Sequence, residues 1–408
     1  MTDYEFPNPQ KRAIELIRET AAEKNSRPFL VGGPVRDFLL GRPAFDIDIT
    51  IENDSAAFAR ALAKRVNGRV KSFPQFLTYK VIAADMPEID IATARKERYR
   101  NPGALPAVTA GKLKDDLLRR DFSINAMALD LLSNELHDPT GGERDLHAKL
   151  VRILHDKSFV DDPTRIYRAI RLAGRLQFTI ESNTARLMHD AIESGALQTV
   201  TKERIWRELF LAMEEADAPQ ILAALRDEGA FDVLFGPRPA DPEMLQRLEA
   251  VKRQLDDDPE LDREVLFTAA LLTGNASPID LEGSGFSQKR ARNVVQIANE
   301  LPRFTDGLAE AKSDRQRFRL LKNASPEMLS VIASMTPQHD VVSRFNEYQN
   351  FKLPLRGNDL EVPGGPHVAR ALERTREAVF TGEIEVEKAR DFARDLAMKY
   401  LKEPRIEN

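Results

Sequence analysis

The hydrophobic pattern of this chain changes period once, near residue 158, and that change leaves few architectures open. Before it, "RPFLVGG", "FDIDITIE", "LTYKVIAA" and "PEIDIATAR" are short, rich in β-branched residues and alternating, so they read as strands. "AIELIRETAAEK" among them has helical spacing. After it, "DDPTRIYRAIRLAGRLQF", "NTARLMHDAIESGAL", "KERIWRELFLAMEEA" and "APQILAALRDEGAF" are successive amphipathic helices with Pro, Asp, Ser or Thr near their starts. The expected class is therefore α+β: a mixed-sheet head over residues 1–155, then three helical segments over 156–215, 216–340 and 341–408. Pro- and Gly-rich stretches at 236–244 ("GPRPADPEM") and 355–367 ("LRGNDLEVPGGPH") interrupt the helical part.

Composition narrows the chemistry. The chain of 408 residues contains no cysteine, which excludes disulfides, thiolate metal sites and cysteine nucleophiles and fits a reducing compartment. The opening residues lack an apolar signal-like run, and no later apolar run approaches the ~18 residues of a membrane helix. A cytoplasmic protein without a membrane span is expected. The net charge of −5 does not exclude nucleic acid, because a local basic stripe is sufficient.

In "FDIDIT" the side chains alternate, so Asp46, Asp48 and Thr50 share one face while Ile47, Ile49 and Ile51 share the other. Paired carboxylates repel, and the arrangement suits a bound hard cation such as Mg²⁺. "EIDIATAR" repeats the pattern, and Asp90 on a neighbouring strand would complete a three-carboxylate cluster for two metal ions. A solvated strand face would show the same alternation. What favours chemistry is "LVGGPVRD" just upstream: Gly32 and Gly33 can bring backbone N–H groups to a phosphate, and Arg36 can add a charged clamp.

G-G-x-V-R-D followed by D-x-D resembles the signature of the nucleotidyltransferase superfamily, and more narrowly the bacterial class of CCA-adding tRNA nucleotidyltransferases and their poly(A) polymerase relatives. That resemblance implies a polymerase β-like catalytic head with helical neck, body and tail. "DLLRRDFSINAMAL" looks like the family's R-R-D-F-T-x-N-A motif, with Ser123 for Thr, and implies that Arg119, Arg120, Asp121 and Asn125 contact the incoming nucleotide. "DPTGGERDL" matches a structural turn of the family.

"DDPTRIYRAIR" carries base chemistry of its own. Asp162 and Arg165, three apart, would share a helix face. Arginine only donates and aspartate only accepts, so together they suit a base with an amino group beside a ring acceptor. Cytosine and adenine present that pair; uracil and guanine would set a carbonyl against Asp162, a mismatch worth about 1–3 kcal/mol per group. An exposed Asp–Arg ion pair is the alternative. The segment resembles the family's E-D-x-x-R motif for nucleotide selection, with Asp161 in place of Glu. Arg168 is expected at the nucleotide too. Arg171 and Arg175, with Lys202, Arg204 and Arg207 of "TKERIWREL", could contact RNA phosphates.

Residues 93–117, "TARKERYRNPGALPAVTAGKLKDDL", read as a mobile loop. In the family this region bears on the switch from CTP to ATP. The segment 353–384 resembles the family's tail. The expectation is a template-independent enzyme that rebuilds the 3′-terminal CCA of tRNA, with Asp46, Asp48 and Asp90 as catalytic metal ligands, Mg²⁺ as the metal, and CTP and ATP as substrates. Its partner would be tRNA, gripped at the 3′ end and elbow; no membrane and no stable protein partner are inferred. The alternatives are an enzyme adding only CC or only A, a poly(A) polymerase, and a non-catalytic RNA-binding protein.

Overall fold

The computed structural model describes residues 10–42, 46–84, 86–237, 241–274, 279–322, 324–335 and 339–402. The chain clusters into two compact units: the described residues of Met1–Pro239 with Asp280–Gly285, and those of Ala240–Ile279 with Phe286–Asn408.

The first unit begins with α1 (Gln10–Lys24), β1 (Pro28–Val31), α2 (Gly33–Leu39), β2 (Ile47–Ile51) and α3 (Ser55–Arg65). Then come β3 (Arg69–Phe73), β4 (Thr78–Ile82), β5 (Ile89–Thr93), β6 (Arg95–Arg98), β7 (Ala107–Ala110), α4 (Leu113–Leu118), β8 (Ala128–Asp130) and β9 (Leu136–His137). The main sheet runs β3-β4-β5-β2-β1-β8-β9. Within it β2 and β5 are parallel, and the other neighbours pair antiparallel. Ile47, Ile49 and Ile51 are buried together with Ile89 and Ile91, and α3 contributes Phe58 and Leu62 to the core. Burying this isoleucine face fixes the register, because a slip of one residue would turn every isoleucine outward.

Two expectations are corrected here. Residues 93–117 are not a loop: β6 and β7 pair antiparallel as a hairpin and α4 follows. Charged residues dominate β6, so the apolar alternation that reveals other strands is missing from it. The turn of this hairpin is held from outside, since Arg204 Nη1 donates to the Gly103 carbonyl at 2.7 Å and Gly103 N–H donates to Asp161 O at 3.2 Å. Strand structure also continues past the head, as a short parallel pair of β10 (Leu150–Val151) and β11 (Thr179–Ile180).

Between and after these lie α5 (Gly142–His147), α6 (Ser158–Asp161), α7 (Thr164–Leu176), α8 (Ser182–Glu193) and α9 (Lys202–Met213). Trp206 of α9 is buried and donates its indole N–H to the Glu282 carbonyl at 3.0 Å. The second unit is helical, including Met244–Asp257, Arg263–Leu272, Gln288–Glu310, Asp314–Leu321, Pro366–Phe380 and Ala389–Lys402. No helix among the described residues is long and apolar enough to cross a membrane.

Candidate active site

A cleft of about 380 Å³ in the first unit is lined by Gly33, Arg36, Asp46 and Asp48 on the sheet side. Asp121 and Asn125 also line it, as do Arg168, Arg171 and Arg175 of α7. The sheet thus presents carboxylates, and α7 presents guanidinium groups spaced three and four residues apart on one face.

The glycine pair starts α2. Gly32 has φ 75° and ψ −136°, and a Cβ there would lie 2.8 Å from Arg120 Nη1. Only glycine combines that backbone with that contact. One turn on, Arg36 is buried and donates to Asp37 at 2.8 and 2.9 Å and to Asn125 Oδ1 at 2.5 Å. Burial holds its pKa below the ordinary arginine value against the pull of Asp37, and nearby Arg175 pushes the same way. Cations crowded like this favour an anionic ligand.

Asp48 and Asp90 are direct partners across the parallel β2–β5 pair, so both lie on the face opposite the isoleucines. Asp46 is exposed, immediately before β2, and Asp48 is half-buried. Burial, then the charges of Asp90 and Asp46, push the Asp48 pKa up to about 6 against the opposing charges of Arg120 and Lys80. Asp90 faces outward and pairs with the Lys80 ammonium at 3.3 Å, which also bonds Glu88 at 2.7 Å. Among the described residues no three acidic or histidine side chains converge closely enough to enclose a metal ion by themselves. Asp46 and Asp48 nevertheless fit Mg²⁺: they are hard oxygen donors at a cleft, and Asp48 is a desolvated carboxylate flanked by like charges. Asp90 joins them only if it leaves Lys80.

The raised Asp48 pKa gives a pH-dependent stability of known sign. The folded state holds this proton more tightly than the unfolded state, so stability falls as pH rises from about 4 through about 6. Asp48→Asn should therefore stabilise the metal-free protein at pH 7.5, by on the order of 1–3 kcal/mol. The gain should vanish near pH 4. Thermal melts at the two pH values check this, and an equal or negative change at pH 7.5 contradicts it.

Asp121 is buried and accepts from Arg168 Nε at 3.0 Å, Asn125 Nδ2 at 3.1 Å and the Phe122 N–H at 2.9 Å. Burial alone would raise its pKa, but Arg168 outweighs burial and holds it well below the usual carboxylate range. Arg168 also faces Glu208 at 3.7 Å. Arg171 bonds Glu215 at 3.2 Å and Glu208 at 3.3 Å, and Arg175 lies 3.9 Å from Glu215. Arg171 and Arg175, expected on RNA, thus stand inside the cleft.

Other expected residues lie elsewhere. Arg119 bonds Asp116 at 2.8 Å and Glu97 at 2.8 Å, away from the cleft lining. Arg120 bonds Asp116 at 3.0 Å and reaches the Gly32 turn. Asp162 and Arg165 do not share a helix face. Asp162 follows α6 with φ −136° and ψ 90°, because Pro163 forces the preceding residue out of the helical region. It accepts from Thr164 Oγ1 at 2.7 Å and Arg204 Nη2 at 2.9 Å. Arg165 is buried and donates to Ser158 Oγ at 2.7 Å and the Arg119 carbonyl at 2.9 Å. In this structure both side chains bind the protein rather than presenting free edges to a base. Lys202 is paired with Asp280 at 2.8 Å and Glu282 at 3.1 Å, whereas Arg207 is exposed.

Sequence reasoning did not single out Asp116, Glu208, Glu215 or Lys80. Asp116 had a signal, since it precedes Arg119 and Arg120 by three and four residues.

Residues 28–152 match the family model "Poly A polymerase head domain", and residues 177–244 match "Probable RNA and SrmB- binding site of polymerase A". An A-adding tRNA nucleotidyltransferase of Halalkalibacterium halodurans is 34% identical over 312 residues, covering 75% of this chain and 73% of that protein. One from Geobacter sulfurreducens is 31% identical over 404 residues, covering 93% of this chain and 46% of the relative, so the chain spans about half of its length. The Thermotoga maritima CCA-adding enzyme complexed with tRNA superposes with a TM-score of 0.76 at 26% identity, over 97% of this chain and 96% of that one. With an acidic central strand, a glycine turn and an arginine-lined helix in one cleft, this chain belongs to the tRNA nucleotidyltransferase family that includes the CCA-adding and A-adding enzymes.

Proposed function

We infer that the chain is a cytoplasmic, template-independent nucleotidyltransferase that extends the 3′ end of tRNA from CTP and ATP to complete the CCA terminus. The observation that carries this reading is the cleft itself, with Asp46, Asp48 and Arg36 on the sheet side and Arg168, Arg171 and Arg175 of α7 on the helix side. A nucleoside triphosphate needs both walls. The arginines would hold the phosphate oxygens, and the Gly32–Gly33 turn would let the chain approach them closely. Asp46 and Asp48 would hold Mg²⁺. Bound there, Mg²⁺ would supply activation of the attacking 3′-hydroxyl and neutralisation of the pyrophosphate leaving group. Asp121 would keep Arg168 extended into the cleft. Asp162 and Arg165 would read the base only after exchanging their present partners, Arg204, Ser158 and the Arg119 carbonyl, for its edge.

Addition of the terminal A alone is the second reading. It is favoured by the two relatives of that name, which match over 75% and 93% of this chain. Three tRNA transcripts, ending at the discriminator base, in C-C and in C-C-A, separate the readings when incubated with Mg²⁺, CTP and ATP and resolved at single-nucleotide length. Complete CCA addition extends the shortest transcript by three nucleotides and stops. Extension of the C-C transcript alone selects the A-adding reading, and no extension of any transcript refutes both.

A further inference from the structure

One row of side chains crosses four strands of the main sheet on the face opposite the isoleucines. Asp48 of β2 is the register partner of Asp90 in β5, Asp90 is that of Lys80 in β4, and Lys80 is that of Lys71 in β3. Register partners on neighbouring strands project to the same face about 5 Å apart. Two carboxylates are thus followed by two ammonium groups. The order decides which way Lys80 turns, because like charges directly opposite repel and unlike charges attract. Lys80 Nζ lies 3.3 Å from Asp90 Oδ2 and donates to Glu88 Oε2 at 2.7 Å.

This contact accounts for the unassembled third carboxylate. The register sets Asp90 beside Asp48, yet among the described residues no three acidic side chains converge closely enough to enclose a metal ion. Asp90 is engaged by a monovalent cation instead. The Asp90 and Glu88 side chains are 51% and 56% exposed, and ion pairs this exposed are weak. A divalent cation, with twice the charge and a preference for carboxylate oxygen, can displace an ammonium from such a partner. Displacement does not strand Lys80. Its shorter bond is the one to Glu88, and its flexible four-carbon stem lets the ammonium pivot there.

We propose that Lys80 is a positioning residue that stands in for the metal at Asp90, and that Glu88 is the carboxylate that keeps Lys80 when a divalent cation draws Asp90 to Asp46 and Asp48. This exchange rests on the assignment of Asp46 and Asp48 as metal ligands, and it is independent of which nucleotides the cleft adds.

Mn²⁺ titration of the full chain tests it, with free Mn²⁺ read from its electron paramagnetic resonance signal. Lys80→Met should tighten Mn²⁺ binding about threefold, the worth of an exposed ion pair that no longer competes. In an Asp90→Asn background the same substitution should change binding little, because Lys80 acts through Asp90. Glu88→Gln should weaken Mn²⁺ about threefold, since Lys80 then has Asp90 as its main acceptor, and that loss should disappear in a Lys80→Met background. Unchanged or weaker binding in Lys80→Met overturns the proposal. So does equal tightening with and without Asp90, which would reduce Lys80 to a general positive field, and so does a Glu88→Gln loss that persists without Lys80. Mn²⁺ binding undiminished in Asp48→Asn would refute the metal site itself, and the exchange with it.

Discussion

Asp48→Asn should reduce nucleotidyl transfer at least 10³-fold, about 4 kcal/mol of transition-state stabilisation, while leaving a protein that melts no lower than the parent at pH 7.5. The two halves of this result have one cause. Asp48 is a carboxylate held half-buried, beside Asp90 and with Asp46 close in sequence and field, so its charge is unfavourable in the metal-free fold. A chain selected only to fold would place a neutral residue there. Asparagine keeps the shape and the β2 hydrogen bonds but loses the anionic oxygen that a hard cation requires. A loss of activity through unfolding is thereby separated from a loss through chemistry, since the variant gains stability as it loses rate. Binding of tRNA, measured by filter retention, should stay within about threefold of the parent, because the substitution removes no basic side chain that a phosphate would use. Retained turnover in the variant would remove Asp48 from the catalytic assignment. Weaker Mg²⁺ binding by titration calorimetry, together with the raised melting temperature at pH 7.5, would locate the defect in the metal site.

The acidic half of the cleft was legible because a strand converts sequence alternation into geometry with period two. Three isoleucines on one face of β2 and two on β5 demand burial, and that demand turns Asp48 and Asp90 to the other face as register partners. The glycine turn was legible for a similar local reason, a φ of 75° at Gly32. The basic half was less so. Arg168, Arg171 and Arg175 have the spacing of a single helix face, but spacing alone does not say what that face meets. Their acceptors Asp121, Glu208 and Glu215 come from other segments, and only tertiary packing brings them together. The Asp162–Arg165 pair failed as a shared helix face through a signal that was present and overridden: Pro163 between them forces Asp162 into an extended backbone. The β6–β7 hairpin was hidden because its stability is not in its own sequence. Arg204 grips its turn and Arg95 donates to the Phe76 carbonyl outside it, contacts that no periodicity reveals.

Asp121→Ala should be the most destabilising single change in this cleft. Asp121 is 8% exposed and accepts from three groups, the Arg168 guanidinium, the Asn125 amide and the Phe122 N–H. Removing it strips Arg168 of its main counter-charge in a cleft that already holds Arg36, Arg171 and Arg175. Breaking a buried pair by deleting one partner costs roughly 3–5 kcal/mol. Arg168 is partly solvated and retains Glu208 at 3.7 Å, which argues for the lower end of that range. For a unit of this size the loss corresponds to a fall of roughly 6–12 °C in the melting transition of the first unit. The pH dependence should differ from that of Asp48. The folded Asp121 pKa lies below its unfolded value, so its stabilisation is fully present above about pH 4 and is lost only as pH falls toward the folded pKa. The deficit of Asp121→Ala should therefore be constant between pH 5 and 8, where the Asp48→Asn difference is still changing at the lower end. A deficit under 2 °C, or one that grows steadily across pH 5 to 8, would show that Arg168 is held by something other than this carboxylate.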